Sequence, residues 1–399
     1  MFLSRLRLLT AGESHGPQLT AVLAGMPAGL ALDAATLDRD LARRQRGLGS
    51  GARMQIEQDH ARITGGVMAG HTTGAPIAWT IDNRDHRNWA DKDVPPMTVP
   101  RPGHADLTAA IKYGYGDLRL GLERASARET AARTAAGAIA RALLAEFGIT
   151  VGGCTVAIGA ARRPAEPTPV DPAVFAQRFQ AAEPNELRCA EPALAAAMQR
   201  EVEAAIAAKD TVGGVVEVAA LHVPPGLGSH VHGDQKLDAR LAGALLSLPA
   251  AKAVEFGCGF AVTERRGTTA QDPVFADGDA LVRRSNHAGG IEGGISNGAP
   301  IVARVAIKPI ATTLLPQPSV DLATGQPAVT RYERSDFCQV PRAVPIAEAM
   351  VALVLADALL EKLGGDSMDE LRTRFAALRR ARRSDLPMDG RPWRFGYEA

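Results

Sequence analysis

The chain has 399 residues, 46% hydrophobic and only 4% aromatic, enough to bury a large core of mainly Ala, Leu and Val in one big domain or two. Its 45 basic and 44 acidic residues leave a net charge of +1, which excludes a nucleic acid or an anionic membrane held by bulk charge. The four cysteines, Cys154, Cys189, Cys258 and Cys338, form no CxxC pair and signal neither a zinc site nor a disulfide framework, which fits a reducing cytoplasm. The N-terminus reads as no secretory signal, and no apolar stretch is expected to reach the ~18 residues of a membrane helix.

A short β run leads into the loop AGESHG at 11–16, whose glycines allow a ligand close to the backbone. A strand over 19–23 and a turn at 26–30 follow. Asp33 is placed to cap a helix through Leu37 and Leu41 that ends in Arg43, Arg44, Gln45 and Arg46. Gly47, Gly49 and Gly51 then precede Arg53, making a cationic loop able to close on an anion. Strands are expected over 53–57, 62–67 and 75–82, followed by a polar excursion over 83–102 of the length typical of lids.

Residues 101–147 hold the densest chemistry. Ser126 and Glu129 have the spacing of a capping box, which starts a helix at Ser126. Its Ala-rich sequence runs about six turns, roughly 30 Å, to a left-handed stop at Gly148. Arg119, Arg124 and Arg128 crowd the start of this helix, where the dipole is already positive. Either they meet a phosphate or carboxylate ligand, or they turn to solvent and to Glu123 and Asp117.

The second half repeats the first in order. A strand at 212–218 and the turn VPPGL at 223–227 match the first strand and MPAGL at 26–30. LDARLA at 237–242 matches LDRDLA at 37–42, and GGISNGAPIV at 293–302 matches AGHTTGAPIA at 69–78. Arg334-Ser335-Asp336 matches Arg124-Ala125-Ser126, each before an Ala-rich helix, the second running from about Pro345 to Leu363. These features predict one domain over 1–364 made of two similar halves, 1–150 and 210–364, with a peripheral helical insert at 160–210. A helix opened by a second capping box, Ser367 and Glu370, and a polar tail fill 365–399. The expected class is α+β, with one antiparallel sheet per half and long helices packed against both.

His15, between Ser14 and Gly16, suits a general acid, since imidazole titrates near neutrality; the alternative is a surface loop residue, and His104 has the same two readings. With Arg53, Arg101, Arg124, Arg128 and Arg334 they fit a substrate carrying several negative charges, because guanidinium grips carboxylate and phosphate through paired donors. Asp336 is either a base or a helix cap. Glu13 with His15, His104 with Asp106, and the 230–234 stretch match no metal spacing, so no metal is expected. The Gly-rich run 283–298, followed by Lys308, is neither a Rossmann fingerprint nor a P-loop; it could cradle a cofactor phosphate or a flavin ring.

GESHG at 12–16, RPGHADL at 101–107, ERASARETAARTAAGAIA at 123–140, SNHAGGIEGGISNGAPI at 285–301, KPIATT at 308–313 and RSDFCQVPRAVPIAEAM at 334–350 together resemble the chorismate synthase family. The resemblance spans nearly the whole chain apart from the insert and the tail. It implies a β-α-β sandwich, a homotetramer and a 1,4-elimination of phosphate and a ring proton from 5-enolpyruvylshikimate 3-phosphate, with reduced FMN (FMNH2) and no net redox. By motif, His15 would protonate the leaving phosphate, His104 would face the reduced flavin, and Asp336 would assist proton removal through the flavin N5. Ser14, Arg53, Arg101, Arg128 and Arg334 would hold substrate. Arg44, Arg124, Ala125, Ser126, Gly293, Lys308, Pro309, Ile310, Ala311, Thr312 and Arg334 would contact FMN, with backbone contacts at Pro249 and Ala250. Two positions depart from the family pattern: Ser50 stands where several members have Arg, and Gly233 where Trp is common. NADPH enters only as a reductant, and the lack of a reductase-like region favours an external flavin reductase.

Overall fold

In the computed structural model, which describes residues 3–49, 58–331 and 335–396, two antiparallel sheets enclose a layer of helices. Alternation builds the first sheet: Leu19, Ala21 and Leu23 of strand Gln18–Ala24 turn inward, as do Ile77, Trp79 and Ile81 of strand Ile77–Asp82. Its strand order is Arg7–Ala11, Gln18–Ala24, Ile77–Asp82, Ala61–Gly65. The second sheet, ordered Ala251–Phe256, Ile301–Ile307, Gly214–Leu221, Thr150–Ile158, Ala161–Arg162, has central strands that are nearly continuous apolar runs. Both of its faces are covered, which is what such runs require. Val216, Val218 and Ala220 join the main core, while Ala219 and Leu221 on the opposite face pack with Val302 under Phe175 and Phe179 of helix Pro172–Ala182.

The two sheets share one wiring. Omitting the two-residue strand Ala161–Arg162, each places its strands in the chain order first, second, fourth, third, with a helix (Ala34–Gln45 or Leu237–Leu246) between the second and third. The likeness reaches single hydrogen bonds. Thr72 Oγ1 accepts from Leu30 N at 2.9 Å and donates to Pro27 O at 2.6 Å; Ser296 Oγ accepts from Leu227 N at 2.9 Å and donates to Pro224 O at 2.7 Å. Gly66 and Gly290 adopt φ of +82° and +81°, and a Cβ on either would lie 2.5 Å from the carbonyl oxygen of Pro76 or Pro300. Thr150–Ile158 precedes the 160–210 stretch, so that stretch interrupts the second half after its first strand. The first strands, RLLTA and TVGGCTVAI, share no residue pattern, which is why the sequence repeat becomes visible only near 212.

Two long helices, Thr130–Ala145 and Val340–Leu363, meet at the centre with Gly137 against Ala349. A Cβ at Gly137 would lie 2.2 Å from that of Ala349, so only glycine permits this approach. Val340–Leu363 starts five residues before the expected Pro345: Pro341 occupies the first turn, where no amide hydrogen is needed, and Pro345 lies inside the helix. This helix also corrects the expectation that no stretch reaches membrane-spanning length. Its mean hydropathy is 2.0 over an 18-residue window, and 89% of that window is buried inside the protein. A helix apolar on every side is one enclosed on every side.

The first central helix differs from its expected start. Ser126 caps a single 3-10 turn, Ala127–Glu129, accepting from Arg128 N at 3.3 Å, and the 16-residue α-helix begins at Thr130 and spans about 24 Å. Glu129 accepts instead from Thr10 Oγ1 at 2.7 Å and Arg133 Nε at 2.9 Å, so no capping box forms at Ser126. The second box, Ser367 with Glu370, does form, as do the Asp33 cap and the left-handed Gly148, φ +71°. The expected strand at 53–57 lies outside the described residues.

Candidate active site

The loop at 12–16 joins the first two strands of the first sheet and is pinned from two sides. Asn83 donates to Glu13 O at 3.1 Å and Gly16 O at 2.7 Å. From the other side, Ser14 N donates to Glu123 O at 3.1 Å and His15 N to Glu123 Oε2 at 2.7 Å. The His15 ring lies 2.6 Å from Glu123 Oε1 through Nδ1, and its face meets Trp89 with centroids 4.4 Å apart. Ser126 Oγ donates to Ser14 Oγ at 3.0 Å, joining this loop to the turn before the first central helix.

His104 is anchored in a parallel way. Its Nδ1 sits 2.5 Å from Asp106 Oδ1, and Arg101 grips the same carboxylate through Nε at 2.9 Å and Nη2 at 3.0 Å while Nη1 reaches Thr312 at 2.8 Å. Burial pushes the Asp106 carboxyl up, but hydrogen bonds from His104 and Arg101 and the Arg101 charge outweigh it and hold it well below the usual carboxylate range.

These pieces face one cavity of about 500 Å³, within the ~300–1,000 Å³ range of small-molecule sites. The N-terminal ends of both central helices open onto it, through Ser126–Arg128 and Gln339–Arg342, so two helix dipoles add to its positive field. Arg128 is buried, donating to Asn83 Oδ1 at 2.7 Å and Asp59 Oδ1 at 2.5 Å. Arg44, only 2% exposed, donates to Thr130 Oγ1 at 3.0 Å and Ala127 O at 2.9 Å. Burial, and next the like charge of Arg342, bring Arg44 down to about 9, with Asp59 offsetting part of this and Arg128 adding to it. Arg342 in turn pairs with Asp336 and donates to Arg44 O. A site in which burial and neighbouring cations depress Arg44 favours binding an anion.

Of the residues singled out from sequence, His15, His104, Asp336, Ser14, Arg101, Arg128 and Arg44 all line this cavity. So do Ala125, Ser126, Pro249, Ala250 and the run from Lys308 through Pro309, Ile310 and Ala311 to Thr312, with the Lys308 ammonium on Gly103 O. Arg124 does not: it lies on the surface and donates to Thr10 O at 3.2 Å and Oγ1 at 2.9 Å. Gly293 sits in the hairpin between Ile291–Glu292 and Ile295–Ser296, away from the cavity lining. Arg53, Arg334 and Ser50 lie outside the described residues. Sequence reasoning missed Asp85, Trp89, Gln339 and Arg342 in the lining and Asp59 and Glu123 behind it. Trp89 lies inside the 83–102 excursion, whose length is typical of lids, and Arg342 inside the quoted 334–350 motif; Asp59 carried no local signal. Among the described residues no group of three or more His, Cys, Asp or Glu is placed to hold a metal ion.

The sequence model of chorismate synthase matches residues 6–360. The chain belongs to the chorismate synthase family. Chorismate synthases of Trichlorobacter lovleyi and Desulforudis audaxviator are each 50% identical to it, over 92% of this chain and 97% and 95% of theirs. That of Leifsonia xyli is 49% identical over 92% of this chain and 93% of its own. A crystal structure of chorismate synthase superposes with a TM-score of 0.78 at 42% identity, covering 94% of this chain and 97% of that one. Chorismate synthase is a lyase of a carbon–oxygen bond in aromatic biosynthesis, acts on a small molecule and requires a reduced flavin. The α+β class expected from sequence is the class of this neighbour.

Proposed function

We propose that this cavity eliminates phosphate and a ring proton from 5-enolpyruvylshikimate 3-phosphate to form chorismate, with reduced FMN as cofactor. The observation that carries the reading is the gathering, in one cavity, of two carboxylate-anchored imidazoles and a carboxylate among Arg44, Arg101, Arg128, Arg342 and Lys308. A substrate with two carboxylates and a phosphate needs such a set of cations.

The residues present also fit the cofactor. Leu122, Ala125, Ala250 and Pro309–Ala311 offer an apolar wall for a flat tricyclic ring, and the depressed Arg44 and Lys308, both in the same lining, answer a phosphate. Bound reduced FMN supplies electronic assistance to the breaking carbon–oxygen bond with no net redox. The protein's own groups do the rest. Arg101 and Arg128, with Arg53 and Arg334, hold the acidic groups of the substrate, and Ser14 orients it. As the bond breaks, its electron pair leaves on the phosphate and His15 delivers a proton to it. His104, held by Asp106, faces the flavin, and Asp336, held by Arg342, is the final acceptor of the ring proton. Trp89, on the face of His15, keeps water from that side of the ring.

The active form is a cytoplasmic homotetramer that depends on an external reductase for its flavin, with NADPH serving only as reductant. The purified protein with photoreduced FMN under anaerobic conditions forms chorismate from the enolpyruvyl substrate; failure to do so ends this reading. An anaerobic assay of NADPH oxidation with FMN shows no turnover if reduction is external.

A further inference from the structure

We propose that Glu123 is a positioning residue for His15: it fixes the ring through Nδ1 and so confines proton exchange with the leaving phosphate to Nε2. This rests on the elimination chemistry proposed above. Glu123 lies in the last turns of helix Arg119–Ala125, just before the Ser126 turn, and its carboxylate is largely buried, 13% exposed. Its two oxygens are divided between two donors of one residue, the His15 amide at 2.7 Å and the His15 Nδ1 at 2.6 Å. A carboxylate only accepts, so Nδ1 carries its hydrogen whether the ring is neutral or charged, and the proton that comes and goes is the one on Nε2.

Three further contacts hold the loop and its ring in place. The Glu123 carbonyl receives the Ser14 amide at 3.1 Å, His86 Nδ1 donates to His15 O at 2.9 Å, and Trp89 packs against the ring at a 44° tilt with centroids 4.4 Å apart. Orientation matters because an acid helps only when its proton lies within hydrogen-bond reach of the group that takes it. Glu123 is thus to His15 what Asp106 is to His104, but its partner is the residue that gives up a proton.

Glu123→Gln retains the size of the side chain but puts an N–H where His15 needs an acceptor. In the full-length protein with photoreduced FMN, kcat falls on the order of 10²-fold while KM for the enolpyruvyl substrate stays within about twofold, and Glu123→Asp recovers part of the rate. Histidine-selective 15N NMR of the resonance lost in His15→Ala reports the neutral ring with hydrogen on Nδ1 in the wild type and on Nε2 in Glu123→Gln. The His15→Ala/Glu123→Gln double variant is no slower than His15→Ala alone. Unchanged kcat, an unchanged tautomer, or losses that multiply in the double variant overturn the proposal and make Glu123 a tether of the loop. If the wild type forms no chorismate, the parent reading fails, and the tautomer measurement decides the role of Glu123 by itself.

Discussion

Gly137→Ala places the smallest side chain at the contact between the two central helices. Its Cβ would lie 2.2 Å from Ala349 Cβ, 2.4 Å from Ala349 Cα and 3.1 Å from Ala349 C, whereas non-bonded carbons settle about 3.5–4.0 Å apart. The obstruction is helix backbone and a methyl with no rotamer to change, so the two central helices must separate by about 1 Å or more. Helix propensity alone gives Ala an advantage of about 1 kcal/mol over Gly. Overpacking of a close-packed core costs about 1–3 kcal/mol, and contact with backbone puts this site at the upper end, for a net loss of about 2 kcal/mol. Both helices begin at the cavity, so their separation also spreads Ser126–Arg128 from Gln339–Arg342 and raises KM for the anionic substrate. Urea unfolding followed by circular dichroism reads the first effect as a lower midpoint at unchanged slope, and steady-state kinetics reads the second. A variant as stable as the wild type, or more stable, would mean that propensity outweighs the contact and that the helices do not meet at Gly137.

Asp106→Asn leaves the buried Arg101 without its counter-charge and His104 without its anchor, costing about 3 kcal/mol or more of stability together with most activity. Because the Asp106 carboxyl is depressed in the folded protein, its stabilisation is fully present above the ordinary value of 3.8 and is lost as pH falls through the folded value. Acid titration of stability in that range is therefore flatter in Asp106→Asn than in the wild type, and equal slopes would contradict the pairing. Arg44→Met removes a cation that burial and Arg342 already oppose, and Asp59 keeps Arg128 as its closer partner, so thermal unfolding of the ligand-free protein changes little, while calorimetry shows binding of the enolpyruvyl substrate weakened about 10- to 100-fold. Strong destabilisation with unchanged binding would mean that Arg44 serves the core.

The repeat was legible because local rules act alike in both halves: the GAPI segments need a left-handed glycine before each, and Thr72 and Ser296 make the same two hydrogen bonds. The first strand of the second half was not, since a strand covered on both faces carries no alternation to compare with Arg7–Ala11. Ser126 and Glu129 had the right spacing for a capping box, but Thr10 and Arg133, one of them over a hundred residues away, compete for Glu129 and win. At the site, His15, His104 and Asp336 stood out because each lies in a short polar motif. Glu123 and Arg342, which pair with His15 and Asp336, and Asp59, which pairs with Arg44 and Arg128, did not, because ion pairs made by the fold leave no periodicity in the chain. The excess of arginine before the first central helix was a true signal for Arg128 alone: Arg124 turns outward onto the Thr10 carbonyl, and the half-buried Arg119 reaches the Pro95 carbonyl outside the cavity lining.

The decisive measurement is a rapid-quench single turnover of the wild-type protein, anaerobic and with photoreduced FMN, counting phosphate and chorismate together and reading the flavin at the end. One phosphate per chorismate with the flavin still reduced, and a rate on the order of 10²-fold lower or less in His15→Ala, is the expected result. Phosphate without chorismate, flavin left oxidised in proportion to product, or an undiminished rate in His15→Ala would contradict an elimination assisted by His15 in this cavity.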